Sequence, residues 1–308
     1  MSTKLPFSTR QPIHWVLDWD GTITKRDTLD TLVSIAASSK PDFPTQKHWE
    51  RVTKAYLEDY TETLEKLAPG GTLPSDVAKE KDLFQKLKIV EQRSLDRVSD
   101  SGIFAGLTEE QLKEGARKAI TSQQVQLRAG FTTFLEWVQT LQTQQNHKFG
   151  ILSVNWSARF IAAALEGANA QVDLGDILSN ELEGLADGIP TTGHIVPAAD
   201  TMITASADKL QQLERIREAN KVSGNPRLIV YVGDSWTDIE GLLDADLGIC
   251  IRDDPMGSSQ RQLAEALERL GVACPQIQHC KDADQCNIVW AKDFTQIKNW
   301  AETQLAER

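Results

Sequence analysis

Apolar positions along the chain change their rhythm twice. Residues 13–18, "IHWVLD", form a short, nearly continuous apolar run, the pattern of a strand buried on both faces. A long polar stretch follows. In it Trp49, Val52, Tyr56, Tyr60, Leu64 and Leu67 recur at steps of three and four, so one face of an amphipathic helix is apolar. "APGGTLPS" breaks that helix, and a second helical stretch covers about 75–98. "LTEEQL" starts a third, because Thr108 and Gln111 stand at capping-box spacing. No strand pattern occurs between 25 and 125.

Beyond that point short apolar runs alternate with helical periods. "GFTTFLEWVQTLQTQQ" reads as a helix, "KFGILSV" as a strand, "SARFIAAALEGA" as a helix and "DILSNEL" as a strand. "SADKLQQLERIREAN" reads as a helix, "RLIVYVGD" as a strand, "WTDIEGLLDA" as a short helix and "LGICI" as a strand; "NIVWAKDFTQIKNWAE" adds one more strand and helix. Such alternation predicts crossover connections and a parallel sheet. The expected class is α/β: a Rossmann-like parallel core made of 1–24 and 126–308, interrupted by an all-helical domain over 25–125.

Composition changes this picture little. The chain has 308 residues and a net charge of −11, without a cluster of Lys and Arg, which argues against a nucleic-acid partner. No apolar run approaches the roughly 18 residues that span a bilayer, and the N-terminus has no apolar signal core. The expectation is a cytoplasmic protein without membrane contact. Cys274, Cys280 and Cys286 fall six residues apart, wider than zinc-site pairs, and read as reduced structural or surface thiols.

The chemistry gathers at strand ends, where open α/β sheets bind ligands. Asp18 and Asp20 follow the first strand, Ser153 ends "KFGILS", and Asp234 follows "RLIVYVG" with Asp238 four residues on. Lys209 stands near the start of the helix before that strand. Carboxylates sharing one cleft oppose each other's ionisation unless a cation neutralises them, and hard oxygen ligands suit Mg²⁺. A cation with a lysine makes a place for phosphate. One carboxylate can then attack phosphorus while a second manages protons. Each residue also has a plainer reading: Ser153 as a helix cap, Lys209 as a surface lysine, Trp156 and Trp19 as packing, Arg26 and Asp27 as a solvated hinge.

"DWDGTIT", the serine of "ILSVNWS", Lys209 and "GDSWTD" resemble, in order, the four motifs of haloacid-dehalogenase-type phosphatases. The resemblance implies Asp18 as nucleophile and Asp20 as general acid and base. It implies Mg²⁺ on Asp18, the Asp20 carbonyl and Asp234, with Asp238 as support. It gives Ser153 a phosphoryl oxygen and Lys209 the charge of the nucleophile and of the transferring group; Gly21, Thr22 and Asn155 become candidates for substrate contact. The helical insert is similar to the cap of the phosphoserine-phosphatase-like branch, which closes over small substrates. "SVNWSARFI", "SNELEG…TTGHIV", "GDSWTDIEGLLDADLGICI" and "IVWAKDFTQIKNW" also resemble thiamin-phosphate phosphatases and related fungal-type proteins acting on small phosphates, polyol phosphates included. The implied substrate is a small phosphorylated metabolite, thiamin monophosphate first and a polyol or sugar phosphate second. A phosphoryl transferase shares the motifs, and a non-catalytic ligand-binding protein shares the fold; Asp20 argues against a dehalogenase.

Overall fold

The computed structural model describes residues 11–222, 224, 226–280 and 287–306. In chain order the strands are β1 (Ile13–Leu17), β2 (Lys148–Leu152), β3 (Ile177–Leu178), β4 (Asn180–Leu182), β5 (Ile195–Pro197), β6 (Leu228–Gly233), β7 (Leu247–Ile251) and β8 (Ile288–Ala291). The helices are α1 (Leu29–Ser39), α2 (Thr45–Leu67), α3 (Val77–Asp100), α4 (Glu109–Thr121), α5 (Phe131–Gln145) and α6 (Ala158–Gly167), then α7 (Ser206–Val222), α8 (Ile239–Asp244), α9 (Ser258–Arg269) and α10 (Phe294–Ala306). No helix among the described residues is long and apolar enough to cross a membrane.

The fold is α/β, and the chain divides into two compact units. One comprises the described parts of Met1–Lys25, Leu127–Leu152 and Ser206–Arg308. Its strands pair in parallel in the order β2-β1-β6-β7-β8. Every residue of β7 is buried, as is every residue of β1 but His14, because helices cover both faces of a parallel sheet. Aromatic rings fill one covering layer. Phe134 of α5 lies 5.1 Å edge-on from Trp15 and 5.2 Å from Phe294 of α10, and Phe131 lies 5.1 Å from Phe294.

The other unit comprises Arg26–Gln126 and Ser153–Ala205. Its first segment is helical, as the periodicity implies. The expected capping box starts α4: Gln111 N donates to Thr108 Oγ1 at 3.2 Å, and Thr108 N donates to Gln111 Oε1 at 3.0 Å. The second segment departs from expectation. Strand–helix alternation groups 153–205 with the parallel sheet, but α6 packs on α4. Phe160, Ile161, Ala163, Ala164 and Leu165 are buried on α6, and a Cβ on Gly167 would come within 3.0 Å of Arg117 Cα. Helix faces that fit this closely decide the grouping.

"DILSNEL" also differs from the single strand expected. It breaks at Ser179, whose hydroxyl donates to Asn155 O at 2.7 Å. Asn180 grips residue 203 from both sides: its Nδ2 donates to Ile203 O at 2.8 Å, and Ile203 N donates to its Oδ1 at 2.9 Å. β4 then pairs antiparallel with β5. Polar side chains that capture backbone groups compete with the ladder, and no period in the sequence reports that.

Candidate active site

β1 and β6 are neighbours in register, Leu17 opposite Val232, and Asp18 N donates to Val232 O at 2.9 Å. Asp18 and Asp234 therefore leave the carboxyl ends of adjacent strands, and both are buried. Lys209, in the first turn of α7, is completely buried between Asp18 and Asp238. Its Nζ lies 2.9 Å from Asp18 Oδ1 and 2.6 Å from Asp238 Oδ1. The contact with Asp238 is an aligned hydrogen bond as well as an ion pair, and that with Asp18 is an ion pair.

Asp238 has its acceptor capacity filled. Oδ1 takes the lysine and the Tyr231 hydroxyl at 2.7 Å; Oδ2 takes Asp234 N at 3.1 Å, Ser235 N at 3.0 Å and Ser235 Oγ at 2.9 Å. Two glycines make room for these carboxylates. A Cβ on Gly233 would lie 2.5 Å from Asp238 Cγ. One on Gly21 would lie 2.6 Å from Asp234 Cγ, and Gly21 has φ of 73°, a conformation open to glycine.

The charges explain what such a site wants. Burial, then the nearby Asp238, pushes the Asp18 carboxyl well above the usual carboxylate range, with Lys209 opposing the shift. Burial and Asp238 push Asp234 up to about 7. Burial works against the charge of Asp238 too, but the Lys209 ammonium and the hydrogen bonds outweigh it and hold its carboxyl low. Burial likewise opposes the lysine's charge, and Asp18 and Asp238 overcome it, so Lys209 stays protonated.

Carboxylate oxygens of Asp18, Asp234 and Asp238 lie within 4.8 Å of one another. Asp238 is saturated by five donors, so the acceptors left for a cation are on Asp18 and Asp234. One ammonium balances one of the three charges. Two buried carboxylates with hard oxygen donors and uncompensated charge fit a small divalent cation such as Mg²⁺.

The remaining expected residues divide between the units. Asp20 is half-buried in the turn after β1. Thr22, expected to face substrate, is fully buried and spends its hydroxyl on Asp234 Oδ1 at 3.2 Å. Ser153 and Asn155 belong to the other unit, both fully buried. Ser153 Oγ accepts from Asn155 N at 3.1 Å, and Asn155 Nδ2 donates to Thr28 Oγ1 at 3.2 Å. The cap of α6 is Ser157, not Ser153: its hydroxyl accepts from Phe160 N at 3.1 Å. In the same unit Trp156 is buried edge-on to Trp49 and Phe104, and Trp49 Nε1 donates to Asp30 Oδ1 at 2.7 Å. Trp19 is buried packing, and Arg26 and Asp27 are exposed. Cys274 and Cys280 are free thiols; Cys286 lies outside the described residues. Sequence reasoning passed over Tyr231 and Arg128. Tyr231, an ordinary strand residue by pattern, donates to Asp238 seven residues on, and Arg128, which stands alone in "QLRAGF", donates to the carbonyls of Thr22 and Gly21 more than a hundred residues away.

The chain matches no family model. It is 31% identical over 240 residues to a CTO1 family protein of Schizosaccharomyces pombe, a match that covers 77% of this chain and 81% of that protein. It is 27% identical over 237 residues to the mitochondrial bifunctional TH2 protein of Arabidopsis thaliana, covering 73% of this chain and 34% of that one. Among solved structures, a Bordetella pertussis protein of unknown function is similar with a TM-score of 0.50 at 14% identity, over 84% of this chain and 96% of that one. A phosphoserine phosphatase holding a phospho-aspartyl intermediate analogue has a TM-score of 0.48 at 18% identity, over 94% and 99%.

Proposed function

This chain belongs to the CTO1 family and has the haloacid-dehalogenase-like fold, and we propose that it is a Mg²⁺-dependent phosphomonoesterase working through an aspartyl-phosphate. The observation that carries the reading is the buried Asp18–Lys209–Asp238 chain with Asp234 beside it. Lys209 pairs with Asp18 at Oδ1, which in this reading leaves the other carboxylate oxygen to act on phosphorus. Asp238, itself held by the Tyr231 hydroxyl, fixes the ammonium, so its charge is in place before the substrate arrives.

In the first step Asp18 Oδ bonds to phosphorus while the bond from phosphorus to the leaving oxygen breaks, and Asp20 gives that oxygen its proton. In the second, Asp20 takes a proton from water, the water oxygen bonds to phosphorus, and Asp18 is released with inorganic phosphate. Asp18, Asp234 and the Asp20 carbonyl would hold Mg²⁺, which when bound offsets the charge between carboxylates and phosphoryl oxygens. By resemblance Ser153 donates to a phosphoryl oxygen.

The substrate in this reading is a small phosphomonoester, thiamin monophosphate first and a polyol or sugar phosphate second, on the likeness carried by "SVNWS" through "NIVWAKDFTQIKNW". The test is kcat/KM for thiamin monophosphate, a polyol phosphate and a generic aryl phosphate, with and without chelator. The expected result is preference for thiamin monophosphate and loss of turnover on chelation, restored by Mg²⁺. A polyol phosphate far ahead of thiamin monophosphate would replace the first substrate by the second. Full turnover in excess chelator would overturn the metal, and transfer to a sugar acceptor in place of water would make the protein a transferase.

A further inference from the structure

We infer that Arg128 is a positioning residue for the general acid: by gripping the carbonyls of the turn after β1, it sets where Asp20 stands. The inference rests on the reading of Asp20 as proton donor.

Arg128 follows the segment that returns the chain to the sheet unit, and its side chain is 3% exposed. An arginine is seldom buried this far unless its donors are used. Here Nε donates to Thr22 O at 2.9 Å, Nη2 to Gly21 O at 2.6 Å and Nη1 to Asp253 Oδ1 at 2.5 Å. Its backbone N donates to Ile23 O at 2.8 Å. One residue therefore holds three consecutive carbonyls, 21 to 23. Asp253 is fixed in turn by Gln260, whose Nε2 donates to Asp253 Oδ2 at 2.7 Å and whose Oε1 accepts from Asp253 N at 2.8 Å. The clamp is thus tied to the start of α9.

The turn needs holding. It contains Gly21 at φ of 73°, and a glycine permits many backbone paths. Its internal hydrogen bonds include Thr24 N to Trp19 O at 3.0 Å, Thr24 Oγ1 to Trp19 O at 3.1 Å and Gly21 N to Thr24 Oγ1 at 3.3 Å, all three closing on residue 24 and none of them made by the Thr22 or Ile23 carbonyls that Arg128 holds. Asp18, before the turn, is fixed by the strand and Lys209. Asp20 sits inside the turn, and its placement follows from the peptides that the guanidinium pins. A displacement of about 1 Å in a proton donor is worth on the order of 10²-fold in rate. The planar fork of arginine can serve two carbonyls and a carboxylate together, which a lysine ammonium on one flexible stem does less well.

A misplaced general acid has a signature that mere loosening lacks. An alkoxide must be protonated as it leaves, while a dinitrophenolate leaves without help. The experiment measures kcat/KM, which reports phosphoenzyme formation, for an alkyl phosphomonoester and for 2,4-dinitrophenyl phosphate. The proteins are wild type, Asp20→Asn, Arg128→Lys, Arg128→Ala and Asp253→Ala, with Tm recorded for each. Arg128→Lys and Arg128→Ala are expected to lose on the order of 10²-fold on the alkyl ester and only a few-fold on the aryl ester, the direction shown by Asp20→Asn. Asp253→Ala, at a half-exposed partner, is expected to show the same selectivity in smaller measure. If the Arg128 variants do not fold, Asp253→Ala decides. Equal loss on both esters, or none, overturns the inference while selective impairment of Asp20→Asn keeps the hydrolase reading. Turnover of neither ester by the wild type removes that reading and this inference with it.

Discussion

Lys209 and Lys54 sit on helices of the two units and both meet carboxylates, in opposite surroundings. Lys209 is wholly buried between Asp18 and Asp238, at 2.9 and 2.6 Å. Lys54 lies 3.7 Å from Glu58, one turn along α2, with side chains 77% and 63% exposed. Between α2 and α3 the contacts are partly covered: Arg93 and Arg97 reach Asp59 across the helices at 2.5 and 2.7 Å, and Tyr56 Oη donates to Glu91 Oε1 at 3.0 Å. A surface pair is local, screened and replaceable. A buried one strands its partner when broken. The sheet unit has concentrated irreplaceable charge at its strand ends, and the helical hairpin has spread replaceable charge over its surface.

The largest effect is expected at Asp18, the proposed nucleophile. Asp18→Asn should remove turnover, by on the order of 10⁴-fold or more, since an amide cannot form the phosphoenzyme. The fold should survive, because Lys209 keeps Asp238. Circular dichroism and kcat together check this, and near-normal rates would reassign the nucleophile.

Asp238→Ala comes next. It removes the acceptor of Lys209, Tyr231, Ser235 and the Asp234 amide at once. The expected destabilisation is about 3–5 kcal/mol, with loss of activity. Denaturant unfolding measures it, and a loss below about 1 kcal/mol would place Asp238 with the surface pairs.

Glu91 supplies an intermediate case from the helical unit. Burial pushes its carboxyl up to about 7, with the Tyr56 hydrogen bond working against the rise. The folded chain thus holds a proton more firmly than the unfolded chain does. The associated stability is complete below the ordinary glutamate range and is lost as pH rises through about 7. Glu91→Gln should flatten that fall, read as Tm against pH; an unchanged profile would show that Glu91 titrates as an exposed carboxylate.

The smallest effect is expected for Lys54→Ala, within about 0.5 kcal/mol of wild type, because the pair is open to solvent. Unfolding in low and high salt checks it, and a loss comparable to that of Asp238→Ala would erase the distinction.

Much of this was legible in the chain. The runs at 13–18, 148–152, 228–233, 247–251 and 288–291 are apolar because strands of a parallel sheet are buried on both faces, so composition marks them directly. The capping box at Thr108 is a local device and reads locally. Asp18 and Asp234 were legible as acids at the ends of apolar strands, and Lys209 only through its place in the motif set. α9 was missed: Gln260, Leu263, Ala266 and Leu267 give it a buried face, but its sequence is mostly polar.

Local sequence marked the strands and most of the helices, because each follows from neighbours a few residues apart, and the motifs marked the acids at the strand ends and Lys209 as candidates. Only the fold shows that 153–205 groups with the helical insert, that "DILSNEL" breaks at Ser179, and that Tyr231 donates to Asp238 and Arg128 to the turn after β1. α6 meets α4 across about fifty residues of chain, and the Arg128 guanidinium meets Gly21 and Asp253 more than a hundred away in either direction. Periodicity records which face of an element is buried. It carries no record of which distant face or carbonyl the element is buried against.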